Sequence, residues 1–445
     1  MKVIAIDLGV TYVKGAYFDN EKCLTSIRKI SPTNFSPVSG KHQVEPDAFV
    51  SIVAKIIDDL VKEYGIANYL VCSTQMHGFV LVNKNLQAIS HYHSWMDRSS
   101  ESNFFGEISV LDYFKENIEP TLILRSGMPI RTGLPSINIP SYFRLNEDTN
   151  KKNNSFMSIG DYVLSKLLGQ SKNYTSNSNA AGSGLYDLEN MDWNNQLIDE
   201  LNIRLSFPIV NSGVDKPMGK YKGMLVLTSI GDQQAALNGV WESVYENTFI
   251  SNIATGSQVT TVSHLLKLSY KYQTRPFVDN KFIQTIPFIP AGRALNVLIR
   301  FFKEVLINLG GVNVHDEDIL WKKVKFILDS DKGIDKPQLV IDTDFIGSYT
   351  TTGGEISYIN EESLSVSNLL VGFMHNLVKN HINGIKKITS NPLESLILTG
   401  GLSHQFPIIK KIFESKLDCV VKLSNVSEDA LIGLNKLVLN KIQEW

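Results

Sequence analysis

Two short segments of the sequence carry residues suited to phosphate chemistry. In the first, Asp7, Gly9 and Thr11 follow an apolar run at residues 3–6. A turn at Gly9 would let backbone N–H groups approach phosphoryl oxygens, and the Thr11 hydroxyl would add a donor. A carboxylate such as Asp7 can hold Mg²⁺ through water. This order of residues predicts a hairpin turn that faces a metal-bound phosphate.

The second segment places Asp232 where an apolar run at residues 225–229 gives way to a helix-like stretch. An aspartate at such a junction can accept the proton of a substrate hydroxyl. Gln233 and His77 can each donate and accept hydrogen bonds with neighbouring hydroxyls. Asp232 is therefore the candidate catalytic base. Each motif alone is equally consistent with an ordinary turn or helix start.

Hydrophobic periodicity predicts the elements that would position these residues. Strands are predicted at residues 3–6, 15–18, 24–30, 69–73, 225–229, 248–253, 258–262 and 395–398. Helices are predicted at residues 46–64, 158–168, 291–309, 315–328 and 365–385. The opening pattern of strand, turn and strand recurs around Thr255 and Gly256. This recurrence indicates an internal duplication with a cleft between the halves and a boundary near residues 244–247.

Bulk composition favours a globular protein that acts on small molecules. The 445 residues are 43% hydrophobic and 20% charged, which is enough for two domains with cores of their own. A net charge of -2 provides no global field to attract nucleic acid or an acidic membrane. The three cysteines have no metal-like spacing, and no apolar stretch reaches about eighteen residues. We therefore expect a cytoplasmic protein with no nucleic-acid or membrane partner.

Taken together, these motifs resemble the FGGY carbohydrate kinases of the actin-like and Hsp70-like ATPase superfamily, along essentially the whole chain. Residues 7–14 resemble the first phosphate turn of that family, with Val10 where a hydroxyl residue is usual. Residues 73–78 resemble the Gln-Met-His-Gly segment that lines the sugar site of ketose kinases. Residues 231–234 match the catalytic Gly-Asp-Gln turn.

The resemblance implies an α/β fold of two ribonuclease H-like (actin-like ATPase) domains with an interdomain catalytic cleft. Residues 1–245 would form the N-terminal domain, with the sugar site and the first phosphate turn. Residues 246–445 would form the nucleotide-binding C-terminal domain. The resemblance leaves a homodimer open.

The same resemblance implies a role for particular residues. Asp232 would be the catalytic base, and Asp7 and Asp232 would hold Mg²⁺. The sugar would be bound by Met76, His77, Asp232 and Gln233. ATP would be bound by Gly9, Thr11, Lys14, Thr255, Gly256, Gly354, Gly400 and Gly401.

The implied activity is ATP- and Mg²⁺-dependent phosphorylation of a primary hydroxyl of a ketose. Sedoheptulose is the leading expected substrate, because residues 275–277, 280–282 and 290–296 resemble the sedoheptulokinase branch more than the xylulokinase branch. D-Xylulose is the second candidate, and another pentulose, glycerol or gluconate stays open, as does an inactive sugar- or nucleotide-binding module. A P-loop kinase and a Rossmann oxidoreductase are disfavoured because their glycine motifs are missing from the sequence.

Overall fold

The structure is a computed structural model that describes residues 1–36, 38, 40–169, 173–211, 217–241, 247–311, 317–330, 337–345 and 353–442. Its strands are β1 (Lys2–Leu8), β2 (Tyr12–Asp19), β3 (Lys22–Ile30), β4 (Gln43–Val44), β5 (Tyr69–Thr74), β6 (Val80–Val82), β7 (Tyr92–His93), β8 (Phe104–Phe105), β9 (Ile108–Ser109), β10 (Ser155–Met157), β11 (Tyr174–Ser176), β12 (Tyr186–Asp187), β13 (Asp192–Trp193), β14 (Ile209–Asn211), β15 (Gly219–Tyr221), β16 (Met224–Val226), β17 (Ile230–Gly231), β18 (Thr248–Ile253), β19 (Ser257–Ser263), β20 (Gln273–Pro276), β21 (Phe282–Ile289), β22 (Val340–Ile341), β23 (Ile356–Ser357), β24 (Ser395–Thr399) and β25 (Val420–Leu423). Its α-helices are α1 (Pro46–Tyr64), α2 (Ser99–Ser102), α3 (Val110–Asn117), α4 (Pro120–Ser126), α5 (Pro135–Phe143), α6 (Ile159–Leu168), α7 (Asn177–Gly182), α8 (Asn195–Glu200), α9 (Asp232–Val240), α10 (Gly292–Asn308), α11 (Glu317–Ser330), α12 (Val366–Ile388), α13 (Gly401–Gln405), α14 (Ile408–Lys416) and α15 (Asp429–Ile442).

The chain divides into two compact units. The first unit consists of residues 1–241, 264–282 and 426–445, and the second consists of residues 242–263 and 283–425. The boundary was predicted near residues 244–247, of which residues 244–246 lie outside the described residues. Over the parts of the chain that the structure does describe, no helix is long and apolar enough to cross a membrane.

The first unit is built on a sheet with the strand order β15, β16, β5, β1, β2, β3, and β17 also pairs with β5. Strands β1, β2 and β3 are antiparallel, whereas β5 runs parallel to β1 and β17 runs parallel to β5. Along β1, Ile4 and Ile6 pack with α1 on one face, and Val3 and Ala5 pack with α15 on the other. Both faces of β1 are therefore covered, which explains its uninterrupted apolar run.

Helix α15 packs directly against α9, the helix that begins at Asp232. A Cβ atom at Gly433 would overlap the carbonyl oxygen of Ala235, and one at Gly239 would overlap the carbonyl oxygen of Asp429. The Asn238 side chain donates a hydrogen bond of 2.8 Å to the Gly433 carbonyl. The glycines thus allow a close approach through which α15 supports α9.

The second unit contains a sheet in which the order β21, β19, β18, β24, β25 repeats the arrangement around β1. Strands β18 and β19 are antiparallel, β24 runs parallel to β18, and β25 runs parallel to β24. Helices α10, α12 and α14 contribute to its apolar core. This repeated order and direction of strands is the duplication that the sequence predicted.

Most predicted elements are present, with one informative difference. Helix α1 has the predicted bounds, and α6 begins after a Ser158 cap and ends at Gly169 in a left-handed conformation. The strand predicted at residues 225–229 is instead split into β16 and β17. The pairing is interrupted where the Ser229 hydroxyl donates a 2.6 Å hydrogen bond to the buried Asp161 carboxylate.

Candidate active site

The first predicted phosphate turn is the tight connection between β1 and β2. The Gly9 N–H donates to the Tyr12 carbonyl at 3.1 Å, and a Cβ at Gly9 would lie only 2.8 Å from that oxygen. The Gly9 carbonyl accepts hydrogen bonds from Ser31 at 2.8 Å and from Gln75 at 3.1 Å. Val10 is 41% exposed and Thr11 is also exposed. Hydrogen bonds to Gly9 thus fix the base of the turn, while Val10 and Thr11 at its tip are exposed.

Asp7 lies at the end of β1, paired in register with Lys14 on β2. Its carboxylate accepts a 2.7 Å hydrogen bond from Ser73 on the neighbouring strand β5. Burial raises the pKa of Asp7 to about 6, although the Ser73 bond and the charge of Lys14 act in the opposite direction. The Lys14 ammonium is bonded to Glu428 at 2.6 Å. Lys14, predicted to contact ATP, is therefore held by a carboxylate of the same unit.

Asp232 is the first residue of α9 and follows β17 directly. Because β17 pairs with β5 in parallel, Gly231 lies opposite Thr74, and the segments after both strands begin at the same edge of the sheet. One Asp232 carboxylate oxygen accepts a 2.8 Å hydrogen bond from the Gln233 N–H. Burial, followed by the charge of Asp7, raises the pKa of Asp232 to about 7. The sheet thus brings together two of the predicted motifs of the first unit, the one after β5 and the one after β17.

His77 lies in that segment after β5 and has a left-handed backbone, with φ of 69°. Its Nδ1 lies 2.7 Å from the Gly182 carbonyl oxygen. A carbonyl only accepts, so Nδ1 carries the proton and Nε2 is an acceptor. Burial and the charges of Arg131 and Arg275 lower the pKa of His77 well below its ordinary value. His77 is therefore a neutral ring with an acceptor nitrogen.

Met76 lies between backbone segments that approach it closely at glycines. A Cβ at Gly182 would lie 2.9 Å from the Met76 methyl carbon, and one at Gly231 would lie 2.7 Å from its sulfur. Gly78 leaves similarly little space, because a Cβ there would overlap the Tyr92 ring. These glycines allow the Met76 side chain, which is 5% exposed, to pack beside the start of α9.

Arg275 on β20 is a residue of this region that the sequence reasoning did not assign to the site. Its Nη1 donates to the Gln233 side-chain oxygen at 2.5 Å and lies 3.5 Å from the Met76 sulfur. Its Nη2 donates to Gln273 at 2.5 Å. Burial, with the charge of Arg131, lowers the pKa of Arg275 to about 9. Arg275 stands out as a charged residue in a strand whose residues are all buried, but that burial is seen only in the structure.

The second predicted phosphate turn connects β18 and β19 in the second unit. The first N–H groups of α10 bind it, since Gly292 donates to the Ala254 carbonyl at 3.0 Å and Arg293 donates to the Thr255 carbonyl at 3.1 Å. A Cβ at Gly292 would lie 2.9 Å from the Ala254 oxygen, whereas a Cβ at Gly256 would meet no atom within 4 Å. The tip of this turn is therefore open.

Gly400 and Gly401 lie beside this turn, because β24 pairs with β18 and places Thr399 opposite Asn252. Gly400 has φ of 88°, and a Cβ there would lie 2.5 Å from the Ile253 carbonyl oxygen. A Cβ at Gly401 would meet no atom within 4 Å. The second unit thus groups Thr255 and Gly256 with the two glycines.

Gly354 occupies a different surrounding within the second unit. A Cβ at this position would overlap the Asp342 carbonyl oxygen and would lie 2.5 Å from the Phe345 ring. Gly354 lies two residues before β23, which begins at Ile356. Gly354 therefore permits close packing on Asp342 and Phe345, and its predicted contact with the nucleotide stays a prediction.

Comparison with known families decides the relationship of the chain. Residues 2–239 match the N-terminal domain of the FGGY family of carbohydrate kinases. The chain belongs to this family. A xylulose kinase of Staphylococcus xylosus is 24% identical over 208 residues, which is 45% of this chain and 40% of that protein. The chain spans about half the length of the curated relatives it matches.

Solved structures of FGGY kinases share the fold. A ligand-bound xylulose kinase from Lactobacillus acidophilus superposes with a TM-score of 0.83 at 16% identity, covering 100% of this chain and 90% of that one. A Plasmodium falciparum glycerol kinase with ADP gives a TM-score of 0.83 at 15% identity, with the same coverage. The predicted family and the predicted α/β class with two ribonuclease H-like domains are confirmed.

Proposed function

We propose that this protein is an ATP-dependent carbohydrate kinase that phosphorylates a primary hydroxyl of a ketose. The observation that carries the proposal is Asp232, a partly buried carboxylate beside Gln233 whose pKa is raised to about 7. A general base works best when its pKa is near the pH at which it operates. Membership of a carbohydrate kinase family supports the same activity.

Asp232 takes the proton of the acceptor hydroxyl in the proposed reaction. The hydroxyl oxygen forms its bond to the γ-phosphorus, the bond to the β,γ-bridging oxygen breaks, and ADP leaves. Such a base contributes ~10²–10⁴ in rate. The acceptor Nε2 of His77 receives a hydrogen bond from a sugar hydroxyl, and Met76 packs against the carbon chain. Gln233, held by Arg275, contacts a neighbouring sugar oxygen.

Asp7 and Asp232 fit the binding of Mg²⁺. Both carboxylates have raised pKa values, and the charge of Asp7 contributes to the shift at Asp232. A divalent cation would relieve this repulsion, and Mg²⁺ is commonly bound through one or two carboxylates together with substrate phosphates. When bound, it would neutralise charge on the transferring phosphoryl group. The Ser73 hydroxyl orients the Asp7 carboxylate for this role.

Both open turns are proposed to bind the phosphates of ATP. In the first unit, the N–H groups around Gly9 and the Thr11 hydroxyl are the donors, and Lys14 contributes its charge by exchanging Glu428 for a phosphate. In the second unit, Thr255 and Gly256 are the corresponding donors. The nucleotide contacts also include Gly354, Gly400 and Gly401. The open space beside Gly256 and Gly401 supports this assignment, because a bound group could approach the backbone there.

Sedoheptulose is the first proposed acceptor and D-xylulose the second. The sedoheptulokinase-like segment at residues 275–277 supplies Arg275, which holds Gln233 and contacts Met76. That segment therefore touches residues proposed to bind the sugar. D-Xylulose is favoured by the relatives that are xylulose kinases, one of Staphylococcus xylosus and one of Lactobacillus acidophilus.

ADP release measured with MgATP and a panel of sedoheptulose, D-xylulose, ribulose, glycerol and gluconate tests the activity. Asp232→Asn should retain ADP binding and lose at least ~10²-fold in turnover. Asp148→Asn, at a fully exposed position of the same unit, is the matched control and should keep full activity. Near-normal turnover of Asp232→Asn would refute its role as the base. Binding of ADP without turnover of any acceptor would instead favour an inactive binding module.

We further propose that the protein works in a reducing compartment, the cytoplasm. Cys23, Cys72 and Cys419 are all free thiols, and Cys72 is buried. This usage is typical of proteins without a disulfide framework.

A homodimer is the proposed assembly, by analogy with the family. Analytical ultracentrifugation of the purified protein tests this assembly, and a monomer mass at micromolar concentration would contradict it.

A further inference from the structure

A buried histidine lies beneath the second phosphate turn and takes no part in the chemistry proposed above. His381 on α12 is 0% exposed. Its Nε2 lies 2.7 Å from the Ser257 hydroxyl on β19, and its Nδ1 is hydrogen-bonded to the Ser251 hydroxyl on β18. One ring thus joins the two strands that carry the turn at residues 254–256.

The direction of each hydrogen bond in this group follows from the number of protons available. The Ser257 hydroxyl lies 2.6 Å from the Asn252 carbonyl, which can only accept, so Ser257 donates its single proton there. Ser257 must therefore accept from Nε2–H of His381. Nδ1 is then the acceptor, and Ser251 donates to it. Burial lowers the pKa of His381 to about 3, in agreement with a neutral ring.

The resulting chain of hydrogen bonds closes the base of the turn. It runs from Ser251 through the ring of His381 to Ser257 and ends on the Asn252 carbonyl. Asn252 immediately precedes the last ladder pair, in which Ile253 lies opposite Ser257. The points at which the chain leaves β18 and enters β19 are therefore both fixed. Thr255 and Gly256, the proposed phosphate donors, lie between these points.

Helix α12 is close enough for this contact because of a glycine one helical turn further along. A Cβ at Gly384 would lie 2.8 Å from the Val259 side chain on β19. Residues three apart share a helix face, so Gly384 lets the His381 ring reach the strands. The Phe413 ring meets the His381 ring edge-on, with centroids 6.2 Å apart. The ring therefore has one orientation defined by packing and by hydrogen bonds.

We propose that His381 is a positioning residue for nucleotide binding, which acts through Ser251 and Ser257 on the turn that carries Thr255 and Gly256. The proposal rests on the proposed function, since it takes the turn to be a phosphate site. Stability of the core alone would not require an imidazole at this position. When all members of a buried polar network are replaced by apolar groups, the cost to stability is small. His381 thus affects nucleotide affinity and leaves the acceptor sugar unaffected.

The decisive variant replaces the whole side-chain network by apolar groups, as Ser251→Ala, His381→Leu and Ser257→Ala together. We expect a folded protein whose Kd for ADP, measured by calorimetry, and KM for ATP rise at least ~5-fold, which corresponds to about 1 kcal/mol. The KM for the ketose should stay within about twofold. The single variant His381→Gln, whose amide can still donate to Ser257, should bind ADP more tightly than the triple variant does.

His375→Leu is the matched control, since His375 is also buried on α12, and its ADP affinity should stay near that of the parent protein. A folded triple variant with unchanged ADP affinity would overturn the role of His381. If the triple variant fails to fold, Ser257→Ala alone carries the test, with the same expected direction. Absence of ADP binding by the parent protein would refute the proposed function itself, and this inference with it.

Discussion

The pH dependence of turnover should be set by Asp232. Its pKa is raised from 3.8 to about 7, chiefly by burial. With a base of this pKa, about one tenth of the free enzyme is deprotonated at pH 6, about half at pH 7 and about nine tenths at pH 8. The value of kcat/KM for the ketose should therefore rise about fivefold between pH 6 and pH 7 and level off above pH 8.

Removal of the Arg275 charge should change the pH range over which kcat/KM rises, here called the acid limb of the profile. The positive charge of Arg275 acts to lower the pKa of Asp232. Arg275→Met should therefore move the limb to higher pH. Arg275→Lys retains a charge and should leave the limb closer to its original position. Both variants lose the paired bonds to Gln233 and Gln273, so the plateau of kcat/KM should fall in each. The pH of the limb thus reports the effect of the Arg275 charge on Asp232, and the height of the plateau reports the loss of the bonds from Arg275 to Gln233 and Gln273.

The assay is ADP release at limiting MgATP and limiting ketose from pH 5.5 to 9, so that the rate reports the ionisation of the free enzyme. The coupling enzymes are calibrated by added ADP at each pH. A parent profile that is flat between pH 6 and pH 8 would refute Asp232 as a base with a pKa of about 7. A limb at the same pH in the parent protein and in Arg275→Met would show that the charge of Arg275 has no influence on the base.

Three further perturbations test the site and its support. His77→Ala should raise the KM for the ketose about tenfold, through loss of one hydrogen bond, and leave the KM for ATP unchanged; steady-state kinetics decide, and equal losses for both substrates would indicate a folding defect. Gly433→Ala should lower the free energy of unfolding in urea by about 1–3 kcal/mol through overlap with Ala235, whereas a gain of about 1 kcal/mol, as helix propensity alone would give, would contradict this packing. Asp232→Asn should be more stable than the parent protein at pH 7 and similar to it below pH 4. When the pKa of a carboxyl is higher in the folded state than in the unfolded state, the protein loses stability as the pH rises from about 4 to about 7. Equal melting temperatures of Asp232→Asn and the parent protein at pH 7 would therefore contradict the raised pKa.

Local patterns in the sequence predicted the elements and the motif residues. Helix α1 was predicted with its observed bounds, because an apolar stripe at helical spacing follows Pro46 and stops before Gly65. Asp232 and His77 were recognised because each lies in a short motif after an apolar run. The β5–β17 pairing then explains why those two motifs adjoin, since parallel strands end at the same edge of a sheet.

Contacts between distant segments could not be read from spacing. Arg275 reaches Gln233 because residues 264–282 belong to the first unit, although the preceding strand β19 lies in the second. Gly433 contacts α9 although it lies 195 residues after Asn238 in the sequence. Neither segment carries a local pattern that points to its partner. Their placement follows from tertiary packing alone.

The pKa shifts around Asp232 indicate that the buried charged groups of this region cost stability. Burial shifts the pKa of Asp7, Asp232 and Arg275 toward the neutral form in every case. Ionised groups in such surroundings oppose folding unless a partner compensates for lost hydration. Asp7 and Asp232 also repel one another. A cluster that served only packing would be more stable with neutral side chains. Under the proposed function, a divalent cation would neutralise the charges of Asp7 and Asp232, and the acceptor hydroxyl would give its proton to Asp232.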